Sequence, residues 1–322
     1  MAYQVPLTAG MYRPCVGLRA VDECASYGRG LGVAAWLGRH RLSAASRPVP
    51  VLTDDDVVKP SALLAAYEDQ IRRRPETAGG SSVVERDAGI VRVMTADDGW
   101  IGVTFSDLQP DTADDVIAAQ VRRFAELDPL AEWEWKHYSH DHPVDLPKRL
   151  RRAGLIPGPS EALLVARIAD LDLDVRPPAG VELVAVHDQE GIDALVSVHD
   201  TVFGGDHSHM GRALAAQLFR DSPPVAAVLA VAGDLPVSSG RIEFTTGTDF
   251  ASLWGGGTLP AWRGRGIFRA LVAHRAALAA DAGFEYLQVD ASANSQPILR
   301  RLGFIDLATT TPFTYEARGA VS

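Results

Sequence analysis

The chain has 322 residues, about twice the usual domain length, so two compact units of roughly 150 residues each are expected. With 47% hydrophobic and 22% charged residues it is neither fibrous, collagen-like nor wholly disordered. The 31 basic and 41 acidic side chains leave a net charge of -10, which repels a polyanion and argues against a nucleic-acid partner.

No apolar run reaches the ~18 residues of a membrane span, and the first residues lack the charged, apolar, small-residue order of a secretion signal. A cytoplasmic protein with no membrane partner is expected. Cys15 and Cys24 are the only cysteines, so one chain assembles neither a disulfide framework nor a thiolate metal site. Catalysis or binding must rest on Arg, His, carboxylates and backbone.

Residues 1–58 hold no period of 2 or 3.6 and are broken at Arg47-Pro48-Val49-Pro50 and Asp54-Asp55-Asp56, which leaves an unassigned N-terminal extension. From there Ser61 is expected to cap a helix carrying Leu63, Leu64, Tyr67 and Ile71, ending before Pro75. Ile90–Met94 and Trp100–Phe105, joined by Asp97-Asp98-Gly99, read as a hairpin. A helix over 114–126, a strand over 132–138 and a helix over 146–153, stopped by Gly154, complete a first body spanning 59–170.

Residues 171–180, with Pro177-Pro178, read as a linker to a second body spanning 181–322. Strands are expected over 181–186, 225–231, 241–244, 249–259, 286–291 and 310–316. Helices are expected over 189–203, 209–219, 266–282 and 295–302. The two bodies end alike: Arg151-Arg152-Ala153-Gly154-Leu155 answers Arg300-Arg301-Leu302-Gly303-Phe304, which points to a tandem duplication.

The most informative stretch runs from Gly255-Gly256-Gly257-Thr258 through Pro260 to Arg263-Gly264-Arg265-Gly266-Ile267-Phe268. A glycine-rich strand feeds a tight turn and then a helix. Glycines let the turn's N–H groups converge, and a helix start adds about half a positive charge, which makes an anion cradle. Arg263, Arg265, Arg269 and Arg275 sit in a stretch with no acidic residue from Arg263 to Ala280, reversing the charge of the chain as a whole. Several phosphates on one ligand explain this better than a single carboxylate. The helix that follows is expected to lay a flat face of Ala270, Ala273, Ala277 and Ala280 on a sheet and to end at Gly283. A Walker loop is excluded, because no Gly-Lys-Ser/Thr follows.

Arg263-Gly264-Arg265-Gly266 after Pro260 resembles the Arg/Gln-x-x-Gly-x-Gly/Ala loop of the GNAT acyltransferase superfamily. Ser295 through Phe304 is similar to that superfamily's closing helix and Leu-Gly-Phe signature. The resemblance covers roughly 181–316, and the first body looks like a degenerate second copy without the loop. It implies an α/β (α+β mixed sheet) fold of two GNAT-like domains in tandem, each a mostly antiparallel, splayed sheet flanked by helices. It further implies acetyl-CoA as co-substrate, no metal, and transfer of an acetyl group to a small-molecule amine, or to a peptide or protein amine, without a covalent enzyme intermediate.

Carried over by position, Gly256, Gly257 and Thr258 would line the pantetheine, and the Thr258 N–H would polarise the thioester carbonyl. Arg263, Gly264, Arg265, Gly266, Ile267 and Phe268 would hold the pyrophosphate. Phe268 departs from the usual Gly or Ala, Leu299 replaces the Tyr that commonly protonates the leaving thiolate, and Gln288 stands where some members carry a carboxylate. A CoA-binding sensor or pseudoenzyme is therefore the alternative. Candidates for the acceptor-side base are Glu243 on a central strand and Asp290 at a strand's end, with His207 and His209 in the segment expected to touch the acceptor. His137, His140 and His142 lack the spacing of a known metal site, and capping or surface roles are expected of them. A homodimer is compatible with all of this.

Overall fold

The computed structural model describes residues 59–75, 83–94, 100–127 and 132–315. The N-terminal extension, both cysteines and the Asp97-Asp98-Gly99 turn lie outside the described residues. Helix α1 spans Pro60–Tyr67 and starts one residue before the expected Ser61 cap. Lys59 holds the cap position in extended backbone, and Pro60 at the first helical position has no N–H to leave unsatisfied. Its C-terminal end widens into a π-helical stretch, Glu68–Arg73.

The first half continues with β1 (Val83–Asp87), β2 (Ile90–Met94), β3 (Ile101–Ser106), α2 (Ala113–Leu127), β4 (Trp133–Tyr138), α3 (Leu146–Arg152), β5 (Ile156–Pro157) and β6 (Glu161–Arg167). The second half contains β7 (Val181–Ala185), α4 (Gln189–Phe203), α5 (Ser208–Leu218), β8 (Val225–Ala232), β9 (Leu235–Phe244) and β10 (Phe250–Thr258). It closes with α6 (Ile267–Asp281), β11 (Tyr286–Ala291), α7 (Gln296–Arg301) and β12 (Ile305–Tyr315). β9 and β12 begin earlier than expected, at Leu235 and Ile305, and β1 adds an edge strand that the sequence pattern did not single out.

The twelve strands among the described residues share one sheet, in the order β1-β2-β3-β4-β12-β6-β11-β10-β9-β8-β7, with β5 against β12. Among the described residues only β3–β4 and β10–β11 pair in parallel; the other ladders are antiparallel. The order has a twofold logic, because β6 of the first half pairs with β11 of the second while β12 of the second pairs with β4 of the first. β6 and β12 then pair with each other at the centre. Each half thus lends its last long strand to the other, and the described residues fall in one compact unit.

The repeat is also visible at α3 and α7. Leu150 and Leu299 are both buried, Gly154 and Gly303 take φ of 96° and 104°, and the N–H groups of Leu155 and Phe304 bond the carbonyls of Leu150 and Leu299 at 3.1 Å each. Both helices therefore stop with the same left-handed glycine cap.

In the second half the alternation of β8 sorts the layers. Val225, Ala227 and Leu229 face α4 and α5 through Ile192, Leu195 and Leu214, whereas Val228 and Ala230 face α6 through Ile267 and Leu271. The buried alanines of α6 are Ala270, Ala273, Ala276 and Ala279, while Ala277 is half-buried and Ala280 exposed. The expected set drifts off the contact because the helix packs along its oblique i+3 row rather than along a heptad stripe.

Candidate functional site

β10 and β11 are hydrogen-bonded only where Phe250–Ser252 meets Tyr286–Gln288. Beyond that point they part, β10 running on to Thr258 and β11 to Ala291. On its other edge β10 carries a bulge: Trp254 faces Arg241, but Gly257 already faces Ser239, and Gly255 inside the bulge takes φ 59°. The Leu259 N–H reaches the Val237 carbonyl at 2.9 Å, so by antiparallel alternation Thr258 turns its N–H and C=O away from β9 and into the gap. Arg263 Nε takes that carbonyl at 3.0 Å, leaving the N–H on the open edge.

The glycines of β10 let two layers close on the backbone. A side chain at Gly256 would start 3.0 Å from the Phe268 ring on the α6 side, and one at Gly257 would start 2.8 Å from Val202 and 3.1 Å from Phe203 on the α4 side. Phe268 thus packs its ring on Gly256 rather than over the turn.

Gly264 and Gly266 take φ of 74° and 86°, and a Cβ at either would meet no atom within 4 Å. Backbone conformation, not crowding, demands glycine here. Gly266 is the N-cap of α6, and the helical ladder begins with the Ala270 N–H on the Gly266 carbonyl at 3.1 Å. The N–H groups of Ile267, Phe268 and Arg269 precede it and have no helical acceptor.

The arginines divide into separate jobs. Arg265 lies over Trp262 at 4.7 Å and bonds the Ala261 carbonyl, and Arg269 pairs with Asp172 at 3.1 Å; both are exposed. Arg275, expected to add charge to the turn, is instead 1% exposed beneath the bulge, donating to the carbonyls of Leu271 and Arg241 at 3.0 Å each. Burial, then the nearby Arg241 cation, pushes its guanidinium down to about 10. Its Nη2 has no partner, and a side chain at Gly256 would start 3.4 Å from it. Beside the start of α6 a cavity of about 430 Å³ opens between α6 and α7, lined by Leu171, Arg269, Val272, Ala273, Ile298 and Arg301 among others.

Both carboxylate candidates have cation partners. Glu243 accepts from Arg241 Nε at 3.1 Å. Asp290 is paired with Lys136 of the first half and accepts from Thr310 at 3.2 Å. Burial alone would lower Lys136, but the adjoining Asp290 holds it well above the usual ammonium range. Burial, then Asp290, pushes Glu161 up to about 7, and burial also raises Glu134. Leu299 is core, and Gln288 is buried with its Nε2 on Ser252 Oγ.

The first half lacks these features. β3 and β4 pair over Gly102 and Val103 only, but the segment after β3 carries Asp107, Pro110 and Asp111 and no glycine. Arg72, 1% exposed, lies over Tyr138 at 3.7 Å and bonds Glu68 at 2.7 Å, Asp141 at 2.9 Å and the Thr104 carbonyl at 3.0 Å, which fills this face from within. His140 bonds Glu68 at 2.9 Å, and burial, followed by Arg72, pushes His137 down to about 4. Among the described residues no group of three His, Cys, Asp or Glu is placed to hold a metal, and no helix is long and apolar enough to cross a membrane.

No protein-family model and no curated protein matches the chain. Among solved structures it is similar to a GCN5-related N-acetyltransferase from Kribbella flavida, with TM-score 0.59, 19% identity, and 83% of this chain and 98% of that one covered. It is also similar to a tandem GNAT protein from the clavulanic acid biosynthesis pathway, with TM-score 0.50, 14% identity and coverage of 89% and 95%. The chain has the tandem GNAT fold. A functionally unknown conserved protein from Staphylococcus epidermidis has a similar structure too, at TM-score 0.58, 14% identity and coverage of 78% and 97%.

Within the GNAT fold the sequence motifs fall together: the strand of Gly256, Gly257 and Thr258 leads into the turn of Arg263 to Phe268 at one end of the β10–β11 gap. Sequence reasoning missed Lys136, which crosses from the first half, and His199, which lies against the bulge. His199 follows the buried Leu195 by one helical turn, so the apolar stripe of α4 held the signal.

Proposed function

We propose that the chain is an N-acyltransferase that moves an acetyl group from acetyl-CoA to a small-molecule amine, or to a peptide or protein amine, by direct attack. One observation carries the reading: the gap between β10 and β11 has the unpaired Thr258 N–H on its edge and the Gly264–Gly266 turn at its end. The residues fit the co-substrate. Open N–H groups of Ile267, Phe268 and Arg269 suit a diphosphate, the edge of β10 beyond Ser252 is free of β11 and can pair with an extended chain, and the Thr258 N–H can donate to a thioester oxygen.

The thioester supplies an activated acyl group; the protein orients it and excludes competing water. Leu299, which stands where the resemblance implies a proton-donating Tyr, is buried and apolar. A thiol with pKa of about 8.5 can take its proton from water.

Calorimetric titration with acetyl-CoA, followed by thiol release over a panel of amines, tests the proposal. Amine-dependent release supports transfer. Binding without such release favours the CoA-sensor reading, which the core position of Leu299 and the tethered Gln288 recommend. Absence of binding refutes both.

A further inference from the structure

The proposed chemistry needs a proton acceptor on the acceptor side of the β10 bulge, and both carboxylates there are already held by cations. One nitrogen at the bulge is not. Nε2 and Cδ2 of His199 lie 3.5 Å from the point where a side chain at Gly255 would begin, at the residue where β10 slips register. Phe203 and His207 flank the ring, with centroids at 4.3 and 4.4 Å. His207 is itself pinned by Asp200, whose Oδ1 accepts from its backbone N–H at 2.9 Å and from its ring Nδ1 at 2.8 Å.

Nε2 is the His199 nitrogen beside the bulge, and Nδ1 is buried without a partner, so the tautomer that serves as base carries its proton on Nδ1 and its lone pair on Nε2. Burial, then His207 and Arg241, with His209, push the imidazole down to about 4 against the opposing pull of Asp200. At neutral pH the ring is therefore uncharged and keeps a lone pair.

We propose that His199 is the catalytic base that takes the proton from the attacking amine, with His207 and Asp200 as positioning residues that fix its ring. This rests on the acyltransferase reading. The amine nitrogen bonds to the thioester carbon as the C–S bond breaks, and one N–H proton passes to Nε2. CoA leaves as thiolate and regains a proton from water, while His199 returns its own to solvent. The fixed ring can serve although it is a weak base, because forming the N–C bond makes the attached N–H far more acidic than that of the free amine.

The test compares wild type with His199→Ala and His199→Gln in thiol release from acetyl-CoA, using spermidine, histamine, tyramine, glucosamine and lysine methyl ester as acceptors. Both variants should keep acetyl-CoA affinity and lose about 100-fold or more in turnover. Added imidazole should restore His199→Ala, and the restored rate divided by the wild-type rate should fall as pH drops through about 6.5, where free imidazole protonates. His207→Ala should lose less.

Near-wild-type turnover of His199→Gln overturns the assignment. So does weakened acetyl-CoA binding by both variants, which marks a structural role, or rescue that ignores pH. If wild type releases no CoA with any of these amines, the acyltransferase reading itself falls and this role with it.

Discussion

Replacing Gly266 separates conformation from charge at the turn that opens α6. The residue holds φ 86° with no atom within 4 Å of a would-be Cβ, so Gly266→Ala adds no clash and costs only the left-handed backbone, about 1–2 kcal/mol of stability. Gly266→Asp carries the same backbone cost and adds a carboxylate beside the N–H groups of Ile267, Phe268 and Arg269. A carboxylate about 4 Å from a phosphate charge is repelled by about 1 kcal/mol in water and about 4 at an effective dielectric constant of 20. Acetyl-CoA affinity should therefore drop by roughly 5-fold to 1,000-fold from Ala to Asp. Titration calorimetry on both variants, with thermal melts to confirm folding, measures the difference. If the Asp variant binds acetyl-CoA as tightly as the Ala variant, the turn does not hold the diphosphate.

Three other substitutions test the framework around the site. A Cβ in Gly240→Ala would stand 2.7 Å from Arg275 Nη1, displacing the guanidinium from the strand carbonyls; urea unfolding should show a loss of about 2–3 kcal/mol, and an unchanged midpoint would contradict the packing. Lys136→Met strands the buried Asp290 carboxylate and should cost about 2–4 kcal/mol, part of which Lys136→Met with Asp290→Asn recovers; strict additivity in that cycle would deny the ion pair. Glu161 is raised to about 7 in the fold, so its neutral form is favoured there and its contribution to stability is lost as pH rises through 7. Glu161→Gln should accordingly stabilise the fold at pH 8, by on the order of 1 kcal/mol after solvent screening, and not at pH 5; thermal melts showing equal stabilisation at both pH values would rule this out.

Much of the second half was legible because local rules and tertiary structure agree there. The strand over Tyr286–Ala291 and the helix Gln189–Phe203 match their expected limits, and Asp188, accepting from the Gly191 N–H at 2.8 Å, caps that helix. The turn at Gly264 and Gly266 was legible because positive φ restricts residue choice so sharply. What escaped depends on distant partners. β12 was expected to begin five residues too late because its first part, from Ile305, pairs with β6 of the other half, a context that no local period reports. Arg275 is counted with the charge of the turn in the sequence and lies beneath the sheet in the fold, because sequence proximity does not reveal which face of α6 points at the strands. Lys136 reaches Asp290 across 154 positions of chain, and the short spacing of motifs carries no trace of such a contact.

The exchange of β6 and β12 has a consequence for how the protein is made. β12 lies between β4 and β6, two strands synthesised long before it, so the middle of the sheet stays open until the chain has grown past Tyr315. Until then the nascent chain exposes unpaired edges of the kind that recruit foreign strands. Separation in sequence between pairing partners also slows closure. Cutting the gene between the two repeats should therefore yield two insoluble fragments, and mixing them from denaturant should recover what neither attains alone.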